Sequence, residues 1–231
     1  MQGSGWVVVA AIAFVGSHFL LSHPLRKPLV TAIGEPAFQA VYSLVAALTL
    51  GALVLAYRAA ETSQPLWPVG NTLWAIATAI MLFASVLLMG SLVGNPALPG
   101  PASTKPAPAQ ATGVYAITRH PMMWSFALWG ACHIAVYPVA KNIVVALAII
   151  ILALVGAVMQ DRKKQTLHPA TWPVWQARTS YWPFAAIASG RTRLGRLGMH
   201  ALAGGLVVWL AATWAHGPLS GWAAGIWRWV T

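Results

Sequence analysis

Six stretches of the chain stay apolar over the length a helix needs to cross a bilayer, about 20 residues. They run roughly from 5–23, 37–58, 71–93, 120–138, 142–160 and 199–216. None shows the period-2 alternation of a half-buried strand, and no internal repeat is evident. The pattern predicts an all-α fold, a polytopic membrane helix bundle of about six transmembrane helices, with residues 1–231 forming a single integral membrane domain. The N-terminal Met-Gln-Gly-Ser-Gly-Trp carries no cationic leader and no cleavage signal follows its apolar run, so the first span is expected to be retained.

Composition supports a lipid solvent. Of 231 residues, 58% are hydrophobic and 7% charged, against roughly 25% charged in a soluble domain. The formal charge of +11 argues for topology rather than a polyanion, because the cations lie between apolar runs and form no basic helix with interleaved aromatics. No nucleic acid is expected as a partner. If successive loops alternate sides, those after the first, third and fifth spans hold eleven of the fourteen Lys and Arg, leaving Arg58, Lys141 and Arg228 opposite. Cytoplasmic loops carry such an excess, which puts the basic loops in the cytoplasm and both termini across the membrane. One cysteine, Cys132, excludes an intrachain disulfide and any multi-cysteine zinc or iron–sulfur site.

The long loops have distinct chemistries. Residues 95–112 are proline-rich and predict an extended strap. Residues 161–198 combine a basic cluster with Thr179-Ser-Tyr-Trp-Pro-Phe184, whose aromatics suit the headgroup level. Trp222, Trp227 and Trp229 in the tail 217–231 predict an interfacial anchor.

Only Glu35, Glu61 and Asp161 are acidic, all at or beyond span ends, so no carboxylate relay crosses the bilayer and a proton pump is not expected. Histidine is distributed differently. His18 falls inside the first span and His133 inside the fourth, with His23 and His120 near cytoplasmic ends, His168 in the basic loop, and His200 and His216 flanking the last span. A lone buried imidazole can be satisfied by a carbonyl or hydroxyl. Two on different helices also suit a shared ligand, and an iron porphyrin fits an apolar bundle because its macrocycle packs like side chain. Zinc would want more polar ligands than these helices offer. A shared iron requires the two rings to meet, although His18 lies toward the cytoplasmic end of its span and His133 toward the far end of the fourth. From helical rise those depths differ by roughly 15 Å, so tilt or a re-entrant fourth helix is implied.

His120 and His133 are thirteen residues apart and point to nearly opposite sides of a straight helix. Beside Arg119 and before Pro121, His120 offers either a donor-rich corner for an anionic group or a polar helix cap. Cys132 is either a small core hydrophobe or an alternative soft ligand.

Four fragments carry a family resemblance. They are His18-Phe-Leu-Leu-Ser-His-Pro-Leu-Arg26, Gly34-Glu-Pro-Ala-Phe38, the run Gly113 to His133 through Thr118-Arg-His-Pro, and Thr179-Ser-Tyr-Trp-Pro-Phe-Ala-Ala-Ile187 with Gly190-Arg191. In this order and spacing, over about 14–191, the chain resembles the NnrU family, which includes the 15-cis-zeta-carotene isomerases; the span 199–216 and the tail would be additions. The resemblance implies a multi-pass protein of the bacterial cytoplasmic (inner) membrane, with periplasmic termini, linked to denitrification and nitric oxide metabolism. It also implies haem b, held in the isomerase relatives by histidines that match His18 and His133. Arg26, Arg119 and His120 would then serve propionates or a substrate headgroup, membrane lipid would surround the chain, and a lipid-soluble small molecule would be the substrate. The isomerases can carry an alternative thiolate ligand three positions before the second histidine, where this chain has Gly130.

The Arg-His-Pro corner followed by an acidic residue after the next span is also similar to the isoprenylcysteine carboxyl and phospholipid methyltransferases. That likeness implies S-adenosylmethionine at the cytoplasmic face, although the paired glutamates of those enzymes correspond here to Gln160-Asp161. A non-enzymatic assembly or signalling subunit with a membrane protein partner is the third expectation.

Overall fold

The computed structural model describes residues 4–97 and 110–230. Every regular element among them is a helix: α1 Ser4–Ser22, α2 Arg26–Ile33, α3 Glu35–Ala59, α4 Asn71–Ser91, α5 Val114–Ile117, α6 Pro121–Val136, α7 Ala140–Leu167, α8 Trp172–Arg178, α9 Ala185–Ala188, α10 Met199–Ser220 and α11 Trp227–Val230. Helices α1, α3, α4, α7 and α10 are long and apolar enough to cross a membrane, and α6 is a shorter apolar helix. Each of the six predicted spans coincides with one of them, so the protein is a polytopic helical membrane protein.

The fourth span is the shortest. Pro121 opens α6, where a missing N–H is tolerated, and Pro138 forbids continuation by disfavouring the helical conformation of the residue before it. The 16 residues between rise about 24 Å, short of a hydrocarbon core of about 30 Å.

The chain forms two compact units that interleave in sequence: Met1–Val69 with His133–Leu152, and Gly70–Cys132 with Ala153–Thr231. In the first unit α1 packs on α3, and Val7, Ala11, Phe14, Leu53, Ala60 and Ala148 form its core. The segment after α3 is tied to the turn before α7: Leu66 N donates to Pro138 O (2.9 Å), Trp67 Nε1 to Ala135 O (3.0 Å) and Lys141 Nζ to Ala60 O (2.8 Å). Lys141 also lies 4.8 Å from the centre of the Tyr57 ring, so this buried cation has both a carbonyl and an aromatic face.

In the second unit α4 packs on α10 through small residues. A Cβ placed on Gly205 would meet the Val86 backbone at 2.8 Å, and one on Gly90 would meet the Ala201 Cβ at 3.1 Å. Lipid offers no hydrophobic drive between helices, so close backbone approach is what holds such a pair. Below it Val86, Leu87, Tyr115, Ile117, Trp172, Trp175 and Ala201 make the core. Trp172 and Trp175 are almost fully buried, and at 150–250 Å² per aromatic ring each contributes at most about 4–6 kcal/mol of transfer free energy.

The outward faces of the long helices are apolar: Ile12, Leu48, Leu55 and Val207 are each more than 60% exposed. Side chains of this kind on every long helix require a lipid solvent. In the tail, Trp222 and Trp229 are exposed, and Trp227 Nε1 donates to Leu210 O (3.2 Å). Most of the predicted proline-rich strap, residues 98–109, lies outside the described residues; at its start Asn95 Oδ1 accepts Ala97 N (3.0 Å) and Gln160 Nε2 donates to Ala97 O (2.9 Å).

Candidate functional site

The most organised polar cluster in the second unit stands at the mouth of α6. Thr118 is extended and its hydroxyl donates to Tyr181 O (2.8 Å) and Ser180 O (3.2 Å), while Arg119 N donates to Ser180 O (2.9 Å). Phe184 N closes the arrangement on Ile117 O (2.8 Å), and Trp124 Nε1 donates to Tyr181 O (2.8 Å). The Thr-Ser-Tyr-Trp-Pro-Phe tract is therefore the clamp that sets the Arg-His-Pro corner. It remains half a surface element: Thr179 and Ser180 are buried, whereas Trp182 and Phe184 are exposed. Phe184 holds a left-handed conformation (φ 64°), rare for a bulky residue, and its ring stacks on Phe83 with centroids 5.9 Å apart.

Into this corner α7 delivers Asp161. The Asp161 carboxylate accepts Arg119 Nε at 2.8 and 3.0 Å and Arg119 Nη2 at 2.6 Å, and its Oδ1 accepts His120 Nε2 at 2.9 Å. The His120 side chain is fully buried and those of Arg119 and Asp161 nearly so. Because a carboxylate only accepts, His120 Nε2 carries a proton. The ring's Nδ1 is buried and has no hydrogen-bond partner among the described residues. An imidazole tied to a carboxylate through one nitrogen and open at the other is the arrangement of a base or of a ligand with an oriented ring. Tyr181 packs edge-on to it, centroids 6.0 Å apart, and donates its hydroxyl to Leu154 O (2.8 Å). Burial first, and the Asp161 carboxylate second, push the Tyr181 phenol above its ordinary range.

His18 belongs to the first unit. Its Nδ1 lies 2.7 Å from Phe14 O, so Nδ1 carries a proton. Phe14 and Tyr42 contact the ring edge-on, with centroids 4.5 and 5.6 Å away. A backbone carbonyl that fixes one ring nitrogen, leaving the other as the metal-binding atom, is the common arrangement of a metal-ligating histidine. His133 lies in the same unit, half-buried in the last turn of α6. Its backbone carbonyl accepts Asn142 Nδ2 (2.8 Å) and Tyr137 N (3.0 Å), which locks the turn that carries the ring.

The five residues expected from sequence therefore divide. His18, His133 and Arg26 fall in the first unit, Arg119 and His120 in the second. Arg26 Nη2 donates to Glu35 Oε1 (2.6 Å) and its guanidinium lies 5.6 Å from the Phe38 ring centre; as with Arg119, some of its five N–H donors remain beyond those its carboxylate takes. Cys132 is buried, with Sγ 3.9 Å from Ala77 O. Among the described residues no three His, Cys, Asp or Glu side chains converge in the manner of a metal cage.

Sequence reasoning missed Asp161 as a site residue. The signal was there: with three carboxylates in the whole chain, a buried Arg-His pair has very few candidates for its counter-charge.

The model of the NnrU protein family matches residues 6–224, a range that takes in α10. The chloroplastic 15-cis-zeta-carotene isomerase of Zea mays is 34% identical over 83 residues, which are 36% of this chain and 23% of the maize protein. The chain thus aligns with about a quarter of that relative's length. No solved structure matches the chain. With the family match running over nearly its whole length, and through both units and all six apolar helices, the chain belongs to the NnrU family.

Proposed function

We propose that this protein binds haem b within the membrane and isomerises a double bond of a lipid-soluble polyene, as the name of its maize relative says of that protein. The observation that carries the reading is His18: a histidine in a bilayer-length helix, its Nδ1–H bound to Phe14 O at 2.7 Å and its ring packed against Phe14 and Tyr42. His133, in the same unit, would hold the iron together with His18, and Arg26 offers donors for a propionate. Bound there, haem would supply transient electron transfer or Lewis-acid polarisation to the polyene. The chain's own contribution is orientation and exclusion. Phe14 O fixes the His18 tautomer, Phe14 and Tyr42 fill the space beside it, and the outward apolar faces keep the site in lipid, where a polyene dissolves. The single domain, the inner-membrane location and the cytoplasmic basic loops belong to the same proposal. Purification in detergent from haem-replete cells tests it. A Soret band lost in His18→Ala and in His133→Ala, while the protein remains folded, supports the reading; a colourless, folded protein that takes up no added haem contradicts it.

A specific observation favours a second reading. Arg119, His120 and Asp161 do converge, which is the grouping a methyltransferase-type S-adenosylmethionine site would draw on, with Asp161 for a ribose or amine and Arg119 or His120 for a carboxylate or lipid headgroup. Calorimetric titration with S-adenosylmethionine, repeated on His120→Ala, separates the two: saturable binding lost in the variant favours this reading, and no heat of binding removes it.

A further inference from the structure

The second unit also holds a pocket that neither function uses. It has a volume of about 750 Å³ and is lined by Gln110, Thr112, Arg178, Arg191, Arg193 and Arg196, together with glycines and neighbouring backbone. Four arginines therefore line one hollow. The local structure fixes where they stand. Arg178 ends α8, which is anchored by buried Trp172 and Trp175. After α9 the chain turns through Gly190 (φ 70°), and Arg191 N and Thr192 N both donate to Ala186 O, at 2.9 and 3.3 Å. The Arg191 side chain is braced by Thr179 O (2.9 Å) and Ser189 Oγ (2.9 Å). Arg193 and Arg196 follow on an extended, exposed segment.

The charge balance of this unit is one-sided. Its sequence, residues 70–132 and 153–231, contains one acidic side chain, Asp161, and Arg119 and His120 hold that one. The pocket's four arginines thus stand in a unit whose own sequence offers no second acidic side chain. Positive loops that only set topology need no such convergence, and lysine would serve them as well. Four arginines, with no lysine among the described lining residues, match the planar fork that grips phosphate oxygens in pairs. The volume lies in the range of small-molecule sites, large enough for a phosphate with an organic substituent.

We propose that this pocket binds a phosphate-bearing ligand, independently of the haem reading. Two sources share that chemistry, an anionic phospholipid headgroup and a soluble phosphorylated molecule. The exposed Leu194, Trp182 and Phe184 of the same basic loop give a lipid's chains an apolar surface to follow.

The test uses the full chain in a neutral detergent at fixed ionic strength, titrated with inorganic pyrophosphate, and the full chain in nanodiscs of phosphatidylcholine with and without phosphatidylglycerol, read by thermal stabilisation. Saturable stabilisation is expected, weakened at least tenfold in apparent affinity by Arg193→Gln with Arg196→Gln, and changed less than twofold by Arg162→Gln with Lys27→Gln, which removes the same charge outside the pocket. Response to pyrophosphate identifies a soluble phosphate group, and response only to phosphatidylglycerol identifies the headgroup; either supports the site. Equal weakening by the two double variants, or no saturable response to any probe, overturns it. Since Arg193 and Arg196 are exposed, their replacement leaves the fold intact, which the unliganded melting temperature verifies.

Discussion

Replacing Asp161 by Asn keeps the side chain's shape and removes its charge. In the native protein its two oxygens accept Arg119 Nε, Arg119 Nη2 and His120 Nε2 at 2.6–3.0 Å. Asparagine retains one acceptor oxygen, and its NH₂ must face either the guanidinium, donor against donor, or the imidazole, which then has to carry its proton on Nδ1, a buried atom with no partner among the described residues. Water cannot take over, because Arg119 is 12% exposed and His120 not at all. Breaking a buried ion pair from one side costs about 3–5 kcal/mol, a factor of roughly 150 to several thousand in the folding equilibrium. For a chain of this length that corresponds to a melting temperature lower by about 6–20 °C. Tryptophan fluorescence during thermal unfolding in detergent reads it. Converting the whole cluster to apolar residues, with Arg119→Met, His120→Leu and Asp161→Leu together, leaves no uncompensated charge and is expected to recover most of the loss. A shift below about 2 °C for Asp161→Asn, or a triple variant no better than the single one, would refute the assignment of this cluster as a buried, mutually dependent unit.

Gly205→Val places a branched side chain where a Cβ alone would lie 2.8 Å from the Val86 backbone, and is expected to cost about 1–3 kcal/mol by overpacking; Gly51→Ala in α3, with nothing within 4 Å, should be neutral or stabilising by about 0.5–1 kcal/mol through helix propensity. Thermal unfolding of the two variants checks the contrast. Tyr115 donates to Ser91 O and Val93 O, and burial raises its phenol far above the ordinary range. Folded Tyr115 thus keeps its proton where the unfolded chain loses it, so the stability it contributes is intact below about pH 10 and falls as pH rises toward the folded value. The stability difference between the native protein and Tyr115→Phe should accordingly narrow between pH 9 and pH 11 in chemical denaturation.

The helices were legible in the sequence because lipid demands long apolar runs, and each of the six runs found a helix. Boundaries were less so. The fourth span reads as 19 residues by hydropathy, yet Pro121 and Pro138 trim α6 to Pro121–Val136. The short helices α2, α5, α8 and α9 gave no periodic signal, being too brief for one and held by tertiary bonds such as Phe184 N to Ile117 O. At the site, residue chemistry was readable but pairing was not. Arg119 and His120 stand out as a donor-rich corner, whereas Asp161, 41 residues beyond His120, enters only as an imperfect counterpart of the methyltransferases' paired glutamates, with nothing in its spacing to give the ion pair. Likewise Arg26 stood out as a cation, but its partnership with Glu35 depends on the turn at Gly34, whose φ of 80° brings α3 back beside α2. The aromatics of the tract 179–184 suit the headgroup level by composition, whereas the clamp its backbone places on the Arg-His-Pro corner depends on tertiary hydrogen bonds that no local pattern encodes.

The central claim concerns two imidazoles and one porphyrin iron. It is tested most directly by the absorption spectrum of the purified chain reconstituted with haem b, compared with the double variant His18→Ala, His133→Ala. The account predicts a stoichiometric Soret band with low-spin bis-histidine character that the double variant lacks. An identical spectrum in both proteins, or none in either while both remain folded, would contradict it.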